Sequence, residues 1–553
     1  MRFLKEFLAA KEESKSKDLS ILVLLFGIAF FQTLGRMPLM EPDEGRYAEI
    51  PREMLERGDF ITPCLNYVKY FEKPPLHYWL NALSFSIFGQ NEFAARLPGA
   101  LMGLLAVLLV YHTGRKLFCR RAGLLAALIL GTSTGFLLQA RIDFIDLTLT
   151  CTLSASLSFF LLASREGEPR KDLYYHLFYL CAALALLSKG LIAIVFPCAI
   201  IFCYILITRR WRLLREIHPM TGIPLFLLAG APWFIAVSLR NPEFARFFFI
   251  HEHFERFLTK VHGRYKPFWY FIPVLAGTML PWSFFIPSGF RGVWKERLSP
   301  SGESRLFLAL WALVVFLFFS ASDSKLVPYI LPVFPPLALL MGNALAGSES
   351  SITRFVKMEG YLVSVTLALL GTGLICYPFV VANAELSLKA CLVTGGILLS
   401  EGILTFVYVY RRSFAELIAG LIICSYLVGI VTSALVLAEI AERKTVKELG
   451  TIVRERAGKD AVVASFGLVQ GLSFYAKRRV LVVGYGGETD FGSRQGDNSA
   501  WFLDVPHFIP LWDSSVKVYV LTQESESRAW GNFVRNAPKL VAREGDYLLV
   551  TNH

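Results

Sequence analysis

The feature that most restricts the fold of this chain is a series of long apolar runs that recurs almost to residue 440. About 20 apolar residues let a helix cross a hydrocarbon core of roughly 30 Å, and most of the runs approach or exceed that length. The sequence therefore predicts a polytopic α-helical membrane protein with about thirteen transmembrane helices, and we expect the first run to be retained as a span. The predicted spans are 19–35, 97–113, 122–140, 147–163, 173–187, 190–207, 221–239, 269–289, 304–320, 327–347, 360–383, 390–410 and 414–439.

Composition supports this class of protein. The 553 residues are 54% hydrophobic, and the formal net charge is +12. No zinc-finger spacing or aromatic RNA-binding motif accompanies the positive charge, whereas an excess of Lys and Arg is common in the cytoplasmic loops of membrane proteins. The nine cysteines form no CxxC pair and are interpreted as small apolar side chains rather than as a disulfide framework.

The positive charges also predict which polar segments share a membrane face. If the short stretch 77–89 lies in the interface and does not cross, basic connections such as "TGRKLFCRRA" and "TRRWRLLREIH" all fall on the cytoplasmic side. The first long loop, 36–96, then lies outside with "RIDFID", "SKG", residues 240–268 and "SDSK". We therefore expect the unusual polar clusters to occupy the external face.

Beyond residue 440 the pattern changes. Residues 441–553 alternate a helical segment, "KTVKELGTIVRERAG", with short β-like runs such as "AVVASFG" and "VKVYVLT". This predicts a small external α/β domain that follows a transmembrane domain over 1–440. The glycine-rich "VVGYGGETDFG" lacks the spacing of a nucleotide-binding fingerprint and is interpreted as a turn-rich loop.

The first polar cluster is "EPDEGRYAEIPREML", residues 41–55. Pro42 precedes an amphipathic pattern, so Asp43 is predicted near the N-terminus of a helix. A carboxylate at the membrane surface is costly unless it is paired or functional, which makes Asp43 a candidate. The charged residues farther along this helix are interpreted as a solvated face: Glu49, Arg52, Glu53 and Glu56.

Two further segments carry carboxylates. "YFEKPPLHYW" places Glu72 and Lys73 before two prolines that keep the backbone extended, as a functional pair or as an ordinary ion pair in a rigid loop. "ARIDFID" places Asp143 and Asp146 in a very short connection between two spans. This spacing suits a hard cation, and it suits equally well carboxylates that orient a sugar or a lysine.

The remaining segments carry mainly cations. Lys189 in "LLSKGL" lies between two spans and needs an anion, which a phosphate would supply, unless the side chain extends to water. Residues 247–271 resemble an amphipathic helix on a bilayer, and their candidates are His251, Glu252, His253, Glu255, Arg256, His262 and Arg264. Its histidines two positions apart do not share a helix face, which disfavours a metal site built from that pair. "SDSKLVPYILP" adds Asp323, Lys325 and Tyr329.

Together these segments predict cations beside carboxylates at the outer leaflet. A lipid-linked phosphate is the anion that suits this depth, because its tail stays in hydrocarbon while its head group reaches the basic residues. The residues alone therefore indicate an enzyme or a carrier that handles a lipid phosphate.

The succession of "DEGRYAE", "FEKPPLHYW", "LLSKG", "HEHFERF" and "SKLVPYILP" resembles the lipid A aminoarabinose transferases. These are polyprenol-dependent membrane glycosyltransferases of the GT-C fold, related to the protein O-mannosyltransferases. The resemblance covers essentially the whole chain and implies a bacterial inner-membrane protein with a periplasmic active site and a periplasmic C-terminal domain. It implies inverting transfer of 4-amino-4-deoxy-L-arabinose from undecaprenyl phosphate to a lipid A phosphate, a modification associated with polymyxin resistance.

The resemblance also implies residue roles. Asp43 and Asp146 match acidic cavity positions, and Glu72 with Lys73 matches a pair near the acceptor phosphate, so these four are the expected catalytic residues. The expected donor-phosphate ligands are Lys189, Arg256 and Arg46, and the expected cavity tyrosines are Tyr47, Tyr70 and Tyr329. No cofactor is required by the sequence; a divalent cation, if one is used, is expected at Glu72 and His251.

Three different functions stay open at this point. The first is transfer of another lipid-linked sugar, such as galacturonic acid, mannose or galactosamine, and the second is a same-fold transferase that glycosylates a protein or an envelope glycan. The third is a flippase for a lipid-linked sugar, for which paired repeats and charged, broken helices at the membrane midplane are expected. Charges gathered on one face favour the transferase.

Overall fold

The computed structural model describes residues 14–255, 265–347, 353–382 and 384–553. The chain divides into two compact units. One, the membrane unit, comprises Met1–Gln32, Gly99–Ile235 and Phe249–Val436. The other, the loop unit, comprises Thr33–Pro98, Ala236–Phe248 and Leu437–His553, and so combines the first long loop with the C-terminal region.

Helices dominate the described residues. In chain order they are α1 (Lys15–Phe31), α2 (Asp43–Arg57), α3 (Leu76–Phe88), α4 (Glu92–Leu117), α5 (Arg120–Thr132), α6 (Thr134–Gln139), α7 (Ile145–Ala163), α8 (Lys171–Lys189), α9 (Ile192–Thr208), α10 (Leu213–Glu216), α11 (Pro219–Arg240), α12 (Phe271–Thr278), α13 (Ile286–Phe290), α14 (Pro300–Ala321), α15 (Phe334–Ala346), α16 (Arg354–Val380), α17 (Leu388–Tyr410), α18 (Phe414–Val431), α19 (Leu437–Arg443), α20 (Lys447–Arg456), α21 (Gln470–Ala476), α22 (Asp490–Ser493), α23 (Val505–Trp512) and α24 (Glu524–Gly531). The π-helical segments are Arg246–Glu255 and Thr432–Val436, and the 3₁₀ segments are Phe268–Tyr270, Trp282–Phe285, Val327–Val333 and Gly487–Thr489.

The strands of the described residues all belong to the loop unit. They are β1 (Cys64–Leu65), β2 (Val68–Lys69), β3 (Val462–Phe466), β4 (Leu481–Val483), β5 (Phe502–Leu503), β6 (Val518–Gln523), β7 (Lys539–Glu544) and β8 (Tyr547–Thr551). β1 and β2 form a small antiparallel hairpin. The other six strands form one sheet in the order β5-β4-β3-β6-β8-β7.

The chain is a multi-pass membrane protein. Among the described residues, eight helical segments are long and apolar enough to cross a membrane, or nine if a pair bent by 110° counts as one span. The eight are Glu92–Leu117, Ile145–Ala163, Pro219–Arg240, Gly302–Ala321, Val327–Ala346, Arg354–Val380, Leu388–Tyr410 and Phe414–Arg443, and each overlaps one predicted span. The bent pair, Phe268–Thr278 with Trp282–Phe290, covers the predicted span 269–289.

The other four predicted spans form helices that are not both long and apolar enough to meet these criteria for a membrane span. The count of thirteen spans therefore stays a prediction. The run 122–140 is divided into α5 and α6 at Ser133, whose backbone is extended. Thr132 Oγ1, one residue before this break, accepts a hydrogen bond of 3.0 Å from Trp282 Nε1. The runs 19–35, 173–187 and 190–207 become α1, α8 and α9, with 17, 19 and 17 residues. The stretch 77–89, which was expected in the membrane interface and not as a span, forms α3, a helix of 13 residues.

Small residues allow helices of the membrane unit to approach each other closely. This is common in membranes, where the hydrophobic effect does not drive helices together and close packing must stabilise them. A Cβ atom on Gly342 in α15 would lie 2.7 Å from the Ala122 carbonyl oxygen in α5. A Cβ atom on Gly371 in α16 would lie 2.5 Å from the backbone nitrogen of Leu399 in α17. Larger side chains at these two positions would push the paired helices apart.

The predicted C-terminal α/β fold is confirmed. β3 pairs in parallel with β4 and with β6, β4 pairs in parallel with β5, and β8 runs antiparallel to both β6 and β7. Leu472 and Leu521 lie in one buried apolar cluster of this region, and Phe508, Trp512 and Trp530 lie in a second. Both clusters are built from β-strand side chains and the helices that cover them, as in other layered α/β domains.

The first loop packs tightly on this domain within the loop unit. A Cβ atom on Gly45 in α2 would lie 2.6 Å from the Gly471 backbone nitrogen in α21. The side-chain amide of Asn66 exchanges hydrogen bonds of 2.7 and 2.9 Å with the backbone of Val480. The loop and the C-terminal region are therefore held together by specific backbone contacts.

The prediction of a solvated charged face on α2 is wrong for three of its four residues. Glu49, Arg52 and Glu53 are 0%, 3% and 0% exposed, whereas the Glu56 side chain is 48% exposed. The Arg52 guanidinium donates hydrogen bonds of 2.6 and 2.7 Å to the two Glu49 carboxylate oxygens. These side chains are buried because the C-terminal region packs over α2. The periodicity of a single helix does not reveal such packing.

Candidate active site

One cluster of predicted residues lies at the start of α2. Asp43 is the first residue of this helix, as predicted, and Arg46 lies one turn further on. The Arg46 guanidinium forms ion pairs with Asp43 and with Glu488 of the C-terminal region. Arg46 is 5% exposed, but the Asp43 side chain is 35% exposed. One buried cation is therefore shared by two carboxylates, and one of those carboxylates is accessible.

Predicted tyrosines surround this cation. The guanidinium carbon of Arg46 lies 5.0 Å from the ring centre of Tyr47, and Arg46 also interacts electrostatically with Tyr70 and Glu72. Burial raises the pKa of Tyr70 well above its usual value, although Arg46 opposes this shift. Burial alone would lower the pKa of Arg46, but its neighbours raise it above its usual value, so the guanidinium stays charged.

Glu72 and Lys73 lie in the extended segment before α3. Their side chains are 11% and 15% exposed, and the Lys73 Nζ atom lies 3.8 Å from Glu72 Oε2. The same ammonium donates a hydrogen bond of 2.9 Å to the Glu72 backbone oxygen. The pair is loose, and its lysine is fixed by the backbone more than by the carboxylate.

The residue next to Asp43 has a different role. Glu44 is 1% exposed and accepts hydrogen bonds of 2.7 and 2.8 Å from Arg96, which is 0% exposed. Arg96 also donates to the carbonyl oxygens of Leu34, Met37 and Pro38 at 2.7–3.0 Å. This fully satisfied pair holds the chain that leads into α2 and is structural.

A second cluster lies in the membrane unit. Asp146 is in the first turn of α7, and Lys189 is the last residue of α8, followed by Gly190 with φ +87°. The two side chains form an ion pair and are 8% and 9% exposed. The Lys189 Nζ atom also lies 4.4 Å from the Tyr329 ring centre. A carboxylate at a helix N-terminus and an ammonium at a helix C-terminus are each stabilised by the helix dipole.

Three further polar residues of the membrane unit, Arg141, Asp143 and Lys325, are buried. Arg141 is buried and donates hydrogen bonds of 2.6 and 2.7 Å to the carbonyl oxygens of Ala29 and Gln32, at the end of α1. Asp143 is also buried. Lys325 is 3% exposed and donates a hydrogen bond of 2.9 Å to the Lys266 carbonyl oxygen, which ties the "SDSK" turn to the chain before α12.

The fifth polar segment is described only in part. His251 and Glu252 lie in the π-helical segment Arg246–Glu255, where Glu252 is buried and His251 is partly exposed. The side chains of His253 and Glu255 and all of Arg256, His262 and Arg264 lie outside the described residues. The predicted role of Arg256 therefore stays a prediction.

The divalent cation expected at Glu72 and His251 stays a prediction. The described residues contain no group of three or more His, Cys, Asp or Glu side chains arranged to hold a metal. The ammonium of Lys73 lies beside the Glu72 carboxylate. No chemical step is assigned to a metal.

Two residues of the first cluster were missed at the sequence level. Glu488 lies in "VVGYGGETDFG", far from α2 in the chain, and only the fold brings it to Arg46. His77 follows "FEKPP" and packs its ring edge-on against Tyr47, with the ring centres 5.6 Å apart. Its presence in a candidate motif was a signal, but its complete burial was not predictable.

Comparisons with known proteins place the chain in a family. A family model described as dolichyl-phosphate-mannose-protein mannosyltransferase matches residues 72–235, and one described as aminoarabinose transferase C-terminal domain matches residues 449–552. An undecaprenyl phosphate-alpha-4-amino-4-deoxy-L-arabinose arabinosyl transferase of Aeromonas salmonicida is 38% identical over 359 residues, 64% of each chain. The relative of the same name from Pectobacterium carotovorum is 30% identical over 512 residues, 89% of each chain. The chain belongs to this arabinosyl transferase family.

Solved structures agree with this family assignment. The crystal structure of ArnT from Cupriavidus metallidurans bound to undecaprenyl phosphate has 28% sequence identity and a TM-score of 0.84, over 98% of this chain and 99% of that one. The archaeal oligosaccharyltransferase AglB of Archaeoglobus fulgidus, at 14% identity and a TM-score of 0.54, shares the fold alone. The GT-C fold and the family resemblance predicted from the motifs are therefore confirmed. The match to the Aeromonas salmonicida arabinosyl transferase spans just under two thirds of that relative, 64% of its length.

Proposed function

We propose that this family member transfers 4-amino-4-deoxy-L-arabinose from undecaprenyl phosphate to a phosphate of lipid A, at the periplasmic face of a bacterial inner membrane. The observation that carries the proposal is the similarity, over 98% of the chain, to a structure bound to undecaprenyl phosphate. The basic connections on the opposite membrane face support the orientation. The arabinosyl transferase names of the relatives support the choice of sugar.

The donor phosphate is assigned to the cluster of Asp146, Lys189 and Tyr329. When the sugar leaves its lipid phosphate, negative charge grows on the departing oxygen, and a fixed cation lowers the energy of that state. The Lys189 ammonium is already held by Asp146 and the Tyr329 ring, so it needs little reorganisation when the phosphate binds. Arg256 and Arg46 are the other two expected ligands of this phosphate.

The acceptor is assigned to Asp43, Glu72 and Lys73 in the loop unit. A phosphate acceptor is already an anion and attacks the sugar without losing a proton, so its main need is correct placement. Lys73 supplies a partly exposed ammonium for that purpose. Asp43 accepts from Arg46 through Oδ1, and in the described part of the chain its Oδ2 accepts no hydrogen bond, which leaves that oxygen for a sugar hydroxyl or amine.

Glycosylation of a protein or an envelope glycan is the second candidate. The accessible Asp43 carboxylate favours it over a flippase, because transport forms no new bond and needs no general base. A hydroxyl acceptor needs such a base within hydrogen-bond reach, and Asp43 is the accessible carboxylate of the first cluster. Asp43 therefore has a different role in each reaction. It binds a hydroxyl or amine of the sugar in transfer to lipid A, and it is the general base in transfer to a hydroxyl acceptor.

Mass spectrometry of lipid A from a strain with and without this protein tests the proposal. We expect lipid A to gain the mass of one aminopentose only when the protein is present, and the gain to vanish with Asp43→Ala or Lys73→Ala. A hexuronic acid on lipid A would refute the sugar, and unmodified lipid A beside a newly glycosylated protein or glycan would refute the acceptor. Purified protein that moves the lipid-linked sugar across vesicles without making product would refute transfer.

Purified enzyme given the undecaprenyl-linked sugar should form product without any nucleotide sugar. The same assay after treatment with EDTA tests for a divalent cation through its effect on product formation. Labelling of single cysteines at exposed positions from each side of the membrane tests the periplasmic orientation, with a cysteine in the Arg-rich connection 209–215 as the cytoplasmic control.

A further inference from the structure

The loop unit has a cavity beside the first cluster, with which it shares Glu488. It has a volume of about 470 Å³ and lies where β3 and β4 end. It is lined by Phe466 and Gly467 at the end of β3, by Val483 and Tyr485 at the end of β4, and by Glu526 in the helix after β6. The glycine-rich sequence "VVGYGGETDFG", interpreted above only as a turn, forms one wall.

The position of this cavity in the sheet is the one that ligands prefer. β4 lies on one side of β3, whereas β6 lies on the other, so the chain changes direction across β3. In α/β sheets the loops after such strands separate and leave a crevice at the carboxyl ends of the strands. The cavity occupies this crevice, and its place follows from strand order.

The backbone of the wall is built to stay open. Gly467 and Gly484 have φ values of +69° and +84°, which favour glycine. No atom lies within 4 Å of a Cβ atom built on Gly484. Directly after Gly484, Tyr485 is 76% exposed, and its ring offers both an apolar face and a polar hydroxyl. An exposed ring beside a crevice is a surface on which the face of a sugar can stack.

The charged side chains that line the cavity are acidic. They are Glu488 and Glu526, and among the described residues no Lys or Arg lines the cavity. Glu526 Oε2 accepts a hydrogen bond of 3.3 Å from the Gln523 backbone, and Glu488 is paired with Arg46. Carboxylates that are fixed in this way accept hydrogen bonds from hydroxyl or ammonium groups and repel phosphate.

We propose that this cavity is a binding site for an amino sugar, whose ring stacks on Tyr485 and whose ammonium group pairs with Glu488 and Glu526. The choice of sugar class rests on the proposed function, because 4-amino-4-deoxy-L-arabinose carries such an amine. The same sugar could arrive on its lipid donor or on the modified acceptor. Since Glu488 also pairs with Arg46, an occupant of the cavity competes with Arg46 for that carboxylate.

Photo-crosslinking in the full-length protein tests this site. The probe is a methyl 4-amino-4-deoxy-arabinoside that carries a diazirine, and the crosslinked peptides are identified by mass spectrometry. We expect crosslinks within residues 466–488, reduced at least about tenfold by Tyr485→Ala and by Glu526→Gln. The second substitution preserves the capping pattern at the start of α24, because Gln serves at that position as Glu does.

Matched controls come from the same domain. Phe533→Ala removes another highly exposed aromatic side chain, and Glu524→Gln neutralises a glutamate two positions before Glu526 that does not line the cavity. Both should leave the crosslinks unchanged, and methyl arabinoside, which lacks the amine, should compete at least about tenfold more weakly than its amino counterpart. Crosslinks that are absent from 466–488, or that persist in both cavity variants, would overturn the proposal.

Competition by intact lipids identifies the source of the sugar. Displacement of the probe by the undecaprenyl-linked sugar indicates the donor, and displacement by modified lipid A indicates the product. The crosslink does not require turnover, so its failure is distinct from a failure of the proposed transfer: an enzyme that transfers the sugar but shows no crosslink in the cavity refutes only the second site.

Discussion

The two clusters of predicted site residues differ in their balance of charge. In the loop unit, one guanidinium is shared by two carboxylates, those of Asp43 and Glu488. In the membrane unit, one ammonium, that of Lys189, faces one carboxylate, that of Asp146. In the first arrangement the Asp43 carboxylate keeps an oxygen that can accept a hydrogen bond from a substrate. In the second the Lys189 ammonium can bind an additional anion. This difference is why we assign the acceptor side to the first and the donor phosphate to the second.

A second contrast lies within α2 itself. Asp43 and Glu44 are adjacent, and each pairs with an arginine, but the Glu44 pair is fully buried and also fixes three backbone carbonyl groups through Arg96. The Asp43 side chain is 35% exposed. We therefore propose that the two neighbouring acid–arginine pairs serve separate purposes, one in stability and one in chemistry, and substitutions should separate them.

The largest effect is expected from Arg96→Met. This change leaves the Glu44 carboxylate buried without its arginine and leaves three carbonyl groups without the hydrogen bonds that Arg96 donates, which should lower the free energy of unfolding by about 3 to 5 kcal/mol. Thermal unfolding of the purified protein in detergent measures the loss. A variant as stable as the wild type would show that the pair does not hold the first loop, and the contrast with Asp43 would fail.

Asp43→Asn should lower transfer by about 100- to 1000-fold, because the amide carries no negative charge for the reacting groups. Its midpoint of thermal unfolding should stay close to that of the wild type, since the side chain is partly exposed and has one ion-pair partner. The matched control is Glu56→Gln on the same helix, whose side chain is 48% exposed. Equal losses of activity in both variants would mean that α2 tolerates no charge change, and the specific role of Asp43 would be withdrawn.

The sequence predicted the parts of these clusters that depend on local pattern. Asp43 starts a helix as expected after Pro42, and Asp146 and Lys189 lie at helix ends as the short connections indicated. The ion pair between them was not predicted, because nothing in two separate apolar runs specifies which helix ends meet. Glu488 was missed for the same reason, since its contact with Arg46 spans 442 positions. The burial of Glu49 and Glu53 also escaped, because a polar helix face is interpreted as solvated until its cover is known.

Lys189→Met should weaken the binding of undecaprenyl phosphate by about 10- to 100-fold, the usual value of a hydrogen bond to a charged group. Asp146→Asn is the informative partner, because it keeps the shape of the site and frees the ammonium from its carboxylate. If the cation serves the phosphate, this second variant should bind undecaprenyl phosphate at least as tightly as the wild type. Weakened binding in both variants would show that the ion pair acts as one structural unit.

The smallest effect concerns Glu41, just before α2, and depends on pH. Burial raises the pKa of this carboxyl from 4.5 to about 7, against hydrogen bonds from Gly471 and Gln470. As pH rises through this interval, the unfolded chain loses a proton that the folded protein keeps, so the group lowers the free energy of unfolding. The free energy of unfolding of Glu41→Gln, relative to that of the wild type, should therefore be about 1 to 3 kcal/mol higher at pH 8 than at pH 4.

Glu56→Gln should show a pH dependence of the opposite sign. Burial would raise the pKa of Glu56, but hydrogen bonds from Tyr67 and Arg52 outweigh burial and lower it. Thermal unfolding of the three proteins at both pH values decides the matter, and parallel shifts in the two variants would contradict the assignment of Glu41 as a buried acid.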